Sequence, residues 1–385
     1  MKFGASSSLR GGDSLDEALR RLRSENEELA SLVTVQSPSA ADIKQTAARL
    51  HATFVEYMVT ERQVLSWVVR PDGTVHAAAG DISRTHLTAL IDEVRRGVEG
   101  RNNIRALSRP LRELERVLVA PAEPWLPASP DDLVIFSPYG SLSWVPFAAL
   151  TDENARPLLE RHTIAMAPAV SIYRYTAAKR ARQSASDARG ALVVADPLPP
   201  SGSNLPRLPG ARVEGARVAS HVTSARVLVG SSATEAAVKE LARGRRILHF
   251  ATHGLVSEDR PLSSSLLLAA GDGEDGYLRV SEIFGLDLDA DLVVLSGCST
   301  GLGQLSGDGI LGLTRAFIYA GTPSVVVSQW DVDDQATAYL MDRFYAGLSA
   351  GRGKAQALRS AQLATRARFA SPALWAPFIL VGEPQ

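Results

Sequence analysis

Short apolar runs that do not alternate with polar residues recur through the second half of the chain. They are Ala191-Leu192-Val193-Val194-Ala195, Ile247-Leu248-His249-Phe250-Ala251, Leu292-Val293-Val294-Leu295-Ser296 and the stretch from Pro323 to Gln329. A strand with one face in water alternates, whereas a run that is apolar throughout is buried on both faces. Segments with helical spacing lie between the runs. One opens at Ser232 to Thr234 and closes at Leu241-Ala242; another carries Ile310, Leu313, Phe317 and Ile318 on one stripe. The pattern predicts an α/β fold, a mostly parallel sheet flanked by helices.

Two of these runs end in chemistry. One leads to His253-Gly254, the other to Gly297-Cys298, and Cys298 is the only cysteine in 385 residues. A lone cysteine is commonly a small buried hydrophobe, and a lone histidine is no stronger a signal. The pairing is what counts: strand then His-Gly, strand then Gly-Cys, with the turn-forming Ser299-Thr300-Gly301-Leu302-Gly303 directly after. A thiol is only partly ionised near neutral pH and needs an imidazole to take its proton, which makes His253 and Cys298 the candidate catalytic pair. A tetrahedral intermediate also needs backbone N–H donors for its oxyanion, and Gly254 and Cys298 are the candidates. The 45-position interval between the pair is close to the caspase spacing of about 50.

The residues from His249 to Gly382 resemble the CHAT family of caspase-like peptidases. The likeness runs through His249-Phe250-Ala251-Thr252-His253-Gly254, Leu295-Ser296-Gly297-Cys298-Ser299-Thr300-Gly301, Gly307-Asp308-Gly309, Leu313-Thr314-Arg315-Ala316-Phe317, Ser328-Gln329-Trp330 and Trp375-Ala376-Pro377-Phe378. Leu205 to Ala211 with Glu214, and Ser137-Pro138-Tyr139-Gly140 with Val145 to Leu150, extend it upstream. The resemblance implies a caspase-haemoglobinase-like fold with an inactive, protease-like N-terminal lobe. It also implies a His253/Cys298 dyad that hydrolyses peptide bonds without a metal or cofactor. The expected partner is a protein substrate, with a gasdermin-like pore-former in bacterial defence or cell death as the candidate, and an upstream regulatory or repeat-containing protein as a further partner. The alternative is a catalytically silent CHAT scaffold. Gly297 and Ser299 depart from the alanine and glutamate that many members carry at these positions. In caspase-like folds the segment after the next strand borders the specificity pocket, which makes Trp330 and Asp331 candidate substrate contacts. Ser296, two positions before the nucleophile, stands where enzymes that cut after basic residues often carry an acid, so a neutral or small apolar preference is expected.

Charge separates the remaining classes. Lys and Arg number 41 against 42 Asp and Glu, a net charge of −1, so no global field draws the chain to nucleic acid or to an anionic membrane. No apolar stretch is long enough to span a bilayer, and the N-terminus lacks the apolar core of a signal peptide. One cysteine allows no internal disulfide and fits a reducing cytoplasm.

The expected organisation is a tail and charged helix over 1–40, an N-terminal lobe over 41–185 and a catalytic lobe over 186–385. Residues 13–34 read as a helix with a leucine stripe, with no 34-residue repeat behind it. Ala177–Gly190, rich in Ala, Arg and Ser, reads as an exposed linker between the lobes. Three metal or nucleotide motifs fail. Gly271 to Gly276 fits a dinucleotide pattern but carries three acids, and reads as a hairpin turn. Asp287 to Asp291 lacks the glycine and glutamate of a calcium loop. His249 and His253, on one strand, stand too far apart to share a zinc ion, and His249 is expected in the core or behind the site.

Overall fold

The computed structural model describes residues 38–100, 104–184, 188–257, 260–297 and 308–385. The helix expected over 13–34 lies outside them. Helix α1 (Ala40–Leu50) begins at a capping box in which Ser39 and Asp42 satisfy each other's backbone N–H groups. It ends at His51, whose positive φ turns the chain directly into β1 (Ala52–Val59). Strands β1, β2 (Gln63–Val69) and β3 (Val75–Asp81) form an antiparallel meander, followed by helices α2 (Arg84–Glu99) and α3 (Ile104–Leu118), which pack on each other. Strands β4 (Leu133–Ser137) and β5 (Thr163–Met166) then add in parallel.

Helix α4 (Ile172–Ser184) occupies most of the stretch expected to be a linker. That expectation is corrected. The helix is docked by polar tertiary contacts that leave no apolar period in the sequence. Thr176 donates to the buried Glu383 carboxylate at 2.9 Å, and the buried Lys179 ammonium donates to the Tyr319 carbonyl at 3.0 Å.

The second half supplies β6 (Ala191–Pro197), α5 (Pro209–His221), β7 (Arg226–Gly230), α6 (Glu235–Leu241) and β8 (Ile247–Ala251). A small antiparallel sheet of β9 (Gly254–Leu255), β10 (Ser265–Leu267) and β11 (Tyr277–Arg279) follows. The acidic Gly271 to Gly276 segment is the turn between its last two strands, as the sequence predicts. Then come β12 (Leu292–Ser296), α7 (Asp308–Ala320), β13 (Ser324–Ser328), α8 (Asp334–Ser349), α9 (Lys354–Arg368) and β14 (Phe378–Gly382).

The eleven-stranded main sheet runs β3-β2-β1-β4-β5-β14-β13-β12-β8-β6-β7. It is parallel except at β1–β2, β2–β3 and β13–β14, so strands from both halves of the chain form one surface, joined where Met166 pairs with Val381. Consecutive residues of a strand point to opposite faces. On β8, His249 bonds to α5 and α8 while Phe250 packs on Phe317 of α7. Helices therefore cover both faces, and the central strands are buried throughout except at the half-buried Ile247, which is why their sequences do not alternate.

Candidate active site

Of the expected site residues, His253, Gly254 and Ser296 lie at the carboxyl ends of β8 and β12, the edge where open parallel sheets place their ligand crevices. The two strands are parallel neighbours, with Ser296 paired to Ala251. The Thr252 N–H continues the ladder to the Ser296 carbonyl at 3.2 Å. The chain then leaves the main sheet. The Thr252 hydroxyl donates to the Leu267 carbonyl, and the Leu267 N–H donates to the His253 carbonyl at 2.8 Å. His253 therefore sits at the handover from the main sheet to the small one, its carbonyl held by β10 and the preceding Thr252 N–H held by β12. Gly254 follows opposite Leu266 at a non-hydrogen-bonded position of the β9–β10 pair, so its N–H points away from β10.

The imidazole of His253 is largely buried, 8% exposed. Its Nε2 lies 2.9 Å from the Pro206 carbonyl oxygen. A carbonyl can only accept, so Nε2 carries the proton and Nδ1 is left as the basic nitrogen of the neutral ring. Gly297, the residue before Cys298, has φ 106°. A Cβ there would stand 2.9 Å from the Thr252 carbonyl oxygen, so glycine allows β12 to run this close to the His253 segment. Cys298 itself lies outside the described residues, as do Ser299 to Gly307.

The other expected residues are placed differently. Ser296 closes β12 with a buried hydroxyl. Trp330 is 3% exposed, within the core, and donates its indole N–H to the Ala373 carbonyl at 3.0 Å. Asp331 is exposed, just before Asp333, which caps α8 by accepting from the Gln335 and Ala336 N–H groups. The structure thus gathers His253, Gly254 and the end of β12 at one edge, and it keeps Trp330 in the interior.

Behind the site, His249 is fully buried between Glu214 and Tyr345, with Nε2 2.9 Å from the Glu214 carboxylate and Nδ1 3.1 Å from the Tyr345 hydroxyl. A carboxylate can only accept, so Nε2 carries the proton and Tyr345 donates to Nδ1. Burial, with the Glu214 charge beside it, pushes the Tyr345 phenol well above its ordinary value and keeps it a donor. These hydrogen bonds tie α5, β8 and α8 together behind the His253 segment. Gly215 lets α5 approach β6, since a Cβ there would meet the Ala195 Cβ at 2.7 Å.

Pro206, Asp196, Arg207 and Arg212 were given no role by sequence reasoning. Asp196 ends β6, and the two arginines follow 11 and 16 positions later. Only the strand-end acid was a signal, because nothing in the spacing tells which basic residues fold back onto it. Burial works against its charge, but hydrogen bonds from Arg207, the Leu208 N–H and Arg212 hold the Asp196 carboxyl below the usual carboxylate range. It is ionised throughout the neutral range.

Residues 108–383 match the family model described as the CHAT domain. The chain belongs to the CHAT domain family. Among curated proteins, this CHAT chain is 28% identical over 324 residues to human tetratricopeptide repeat protein 28, covering 71% of this chain and 13% of that protein. The Mus musculus counterpart is 29% identical over 326 residues, with the same coverage. The CHAT chain therefore spans about an eighth of the length of these relatives. Among solved structures, a chain of the Saccharomyces cerevisiae separase–securin complex superposes with a TM-score of 0.61 at 10% identity, over 97% of this chain and 32% of that one. A second structure of the complex gives 0.59 at 11% identity, over 93% and 31%. The fold is the separase and caspase-like one, in which both halves of the chain take part. Among the described residues no helix is long and apolar enough to cross a membrane.

Proposed function

We propose that this CHAT protein is a cysteine endopeptidase that cuts a partner protein, with Cys298 as nucleophile and His253 as its base. The observation that carries the reading is the common end of β8 and β12, where the strand leading to Cys298 runs in register beside the one leading to His253. Membership of the family and the separase-like fold support it. The basic Nδ1 of His253 takes the thiol proton, and the thiolate sulfur attacks the carbonyl carbon of the scissile peptide bond. The carbonyl oxygen becomes an oxyanion and accepts from the Gly254 and Cys298 N–H groups. The imidazolium proton passes to the leaving amine, and the C–N bond breaks to leave a thioester. Water then gives a proton to His253, attacks the thioester carbon and releases the carboxylate, and the thiol is restored. No metal or cofactor enters these steps.

The substrate is a protein reached in the cytoplasm, and a gasdermin-like pore-former is the candidate the family resemblance offers. Asp331, exposed beyond β13, is the proposed substrate contact, since the other two candidates, Ser296 and Trp330, are buried. The second reading is an interaction module without turnover. It draws on the relatives named for tetratricopeptide repeats, in which the matched region is a small part of a long chain. Alkylation of the single thiol by iodoacetamide, together with cleavage of a peptide library, separates the two. Cys298→Ala should abolish labelling and cleavage. His253→Ala should slow labelling at neutral pH and lower turnover by about three orders of magnitude or more. Labelling at an unchanged rate in folded His253→Ala would rule out the dyad, and a wild-type chain that cuts nothing supports the interaction module.

A further inference from the structure

The Pro206 carbonyl holds the proton on Nε2 of His253, yet Pro206 lies on an irregular segment between β6 and α5. What fixes that segment is a single carboxylate. Asp196 is 2% exposed at the end of β6, in a left-handed backbone conformation with φ 45°, a strained setting for a residue other than glycine. Its Oδ1 accepts from Arg207 Nε at 2.9 Å and from the Leu208 N–H at 2.8 Å. Its Oδ2 accepts from the second nitrogen of the Arg207 fork and from Arg212 Nε, both at 2.6 Å. Arg207 also donates to the Asp196 carbonyl at 3.2 Å. The two residues directly after Pro206 are thus bonded to Asp196, and the bidentate Arg207 fork fixes direction as well as distance.

We propose that Asp196 is a positioning residue for catalysis: through Arg207 and Leu208 it sets the Pro206 carbonyl, which in turn selects the tautomer and orientation of the His253 ring. The inference rests on the dyad reading for its effect on rate. The reasoning is that of any histidine base whose second nitrogen must be held by an acceptor. With the carbonyl displaced, the ring is free to rotate or to carry its proton on Nδ1, and a proton there leaves no base for the thiol. Asp196 touches neither substrate nor thiol in this scheme.

The test uses the full chain with Asp196→Asn, which keeps one acceptor oxygen and loses the other. Arg207→Ala is the second variant: the Arg207 side chain is 40% exposed, so its loss leaves the core intact even where Asp196→Asn fails to fold. Two readouts are taken. The first is the rate of iodoacetamide alkylation at neutral pH, a single-site signal because the thiol is unique. The second is the ring 15N spectrum of labelled histidine, with the His253 signals identified by their loss in His253→Ala. Wild type should show the Nε2–H tautomer. The variants should show a mixture, alkylation slowed about tenfold or more, and kcat reduced with KM little changed. Asp196→Asn combined with His253→Ala should be no slower than His253→Ala alone. A folded Asp196→Asn or Arg207→Ala with the wild-type His253 spectrum overturns the proposal. A His253→Ala chain that alkylates at the wild-type rate overturns the dyad instead, and the spectra still decide whether Asp196 sets the tautomer.

Discussion

Gly297 and His253 show how much of the site depends on single backbone positions. Gly297 sits at φ 106° with the Thr252 carbonyl oxygen where a Cβ would need room. An alanine there is strained at this backbone angle whatever the family carries elsewhere. Gly297→Ala should destabilise the chain by about 1–3 kcal/mol, seen as a lower denaturant midpoint, and should slow alkylation of the thiol. A midpoint equal to wild type would mean that the turn relaxes freely and that glycine is not required. His253 is a comparable case on the polar side, because one acceptor, the Pro206 carbonyl, decides which ring nitrogen is basic.

Among the elements, α4 is the one whose behaviour the sequence and the structure describe differently. Ala177–Gly190 has the composition of an exposed linker, and such a segment would be nicked readily. As a helix to Ser184, with Lys179 buried and bonded to the Tyr319 carbonyl, it presents no extended backbone at that lysine. Brief trypsin treatment of the native chain should therefore leave the Lys179–Arg180 bond intact, as read by mass spectrometry of the fragments. Rapid cutting at Lys179 would show that α4 opens on its own. The helix is anchored from a distance as well. Glu383, just past β14, is fully buried and receives Thr176 of α4 together with both terminal nitrogens of Arg49 of α1, each at 3.0 Å. The residue just past β14 thus clamps α1 and α4 together.

Among the described residues, cations already stand where acidic groups gather. Glu235, Glu274 and Glu282 are close enough together to hold a metal ion, but the Lys239 ammonium lies 2.7, 3.0 and 2.8 Å from them. Burial opposes its charge, yet the hydrogen bonds it donates to these carboxylates hold it well above the ordinary lysine value. The stretch rejected as a calcium loop is engaged in the same way: Asp291 pairs with Lys354 at 3.1 Å, and Asp287 lies 3.7 Å from Arg243. Millimolar calcium or chelator should therefore leave both the melting temperature and peptide turnover unchanged. A rise in melting temperature with calcium would show that an ion displaces Lys239. The proposed division at 185/186 separates strands that belong to one sheet. The two halves meet in one sheet through Met166 and Val381 and share one core, so the lobes proposed from the sequence lie side by side in a single sheet.

The amino-acid sequence by itself determined the α/β class, the buried strands and the candidate pair His253 and Cys298. Continuous apolar runs report burial on both faces, and a reactive residue flanked by glycine at the end of such a run reports a sheet edge. It also carried the family likeness, because the motif residues keep their order along the chain. Only the tertiary structure decided what supports the pair. Strand order made β8 and β12 neighbours. The loop after β6 brought Pro206 to His253 from 47 positions away, and the helices set Glu214 and Tyr345 on His249 from 35 and 96 positions away. Trp330 went to the core and α4 became a helix for the same reason. Local pattern records which faces are apolar, whereas a polar partner supplied from a distant segment leaves no periodicity to read.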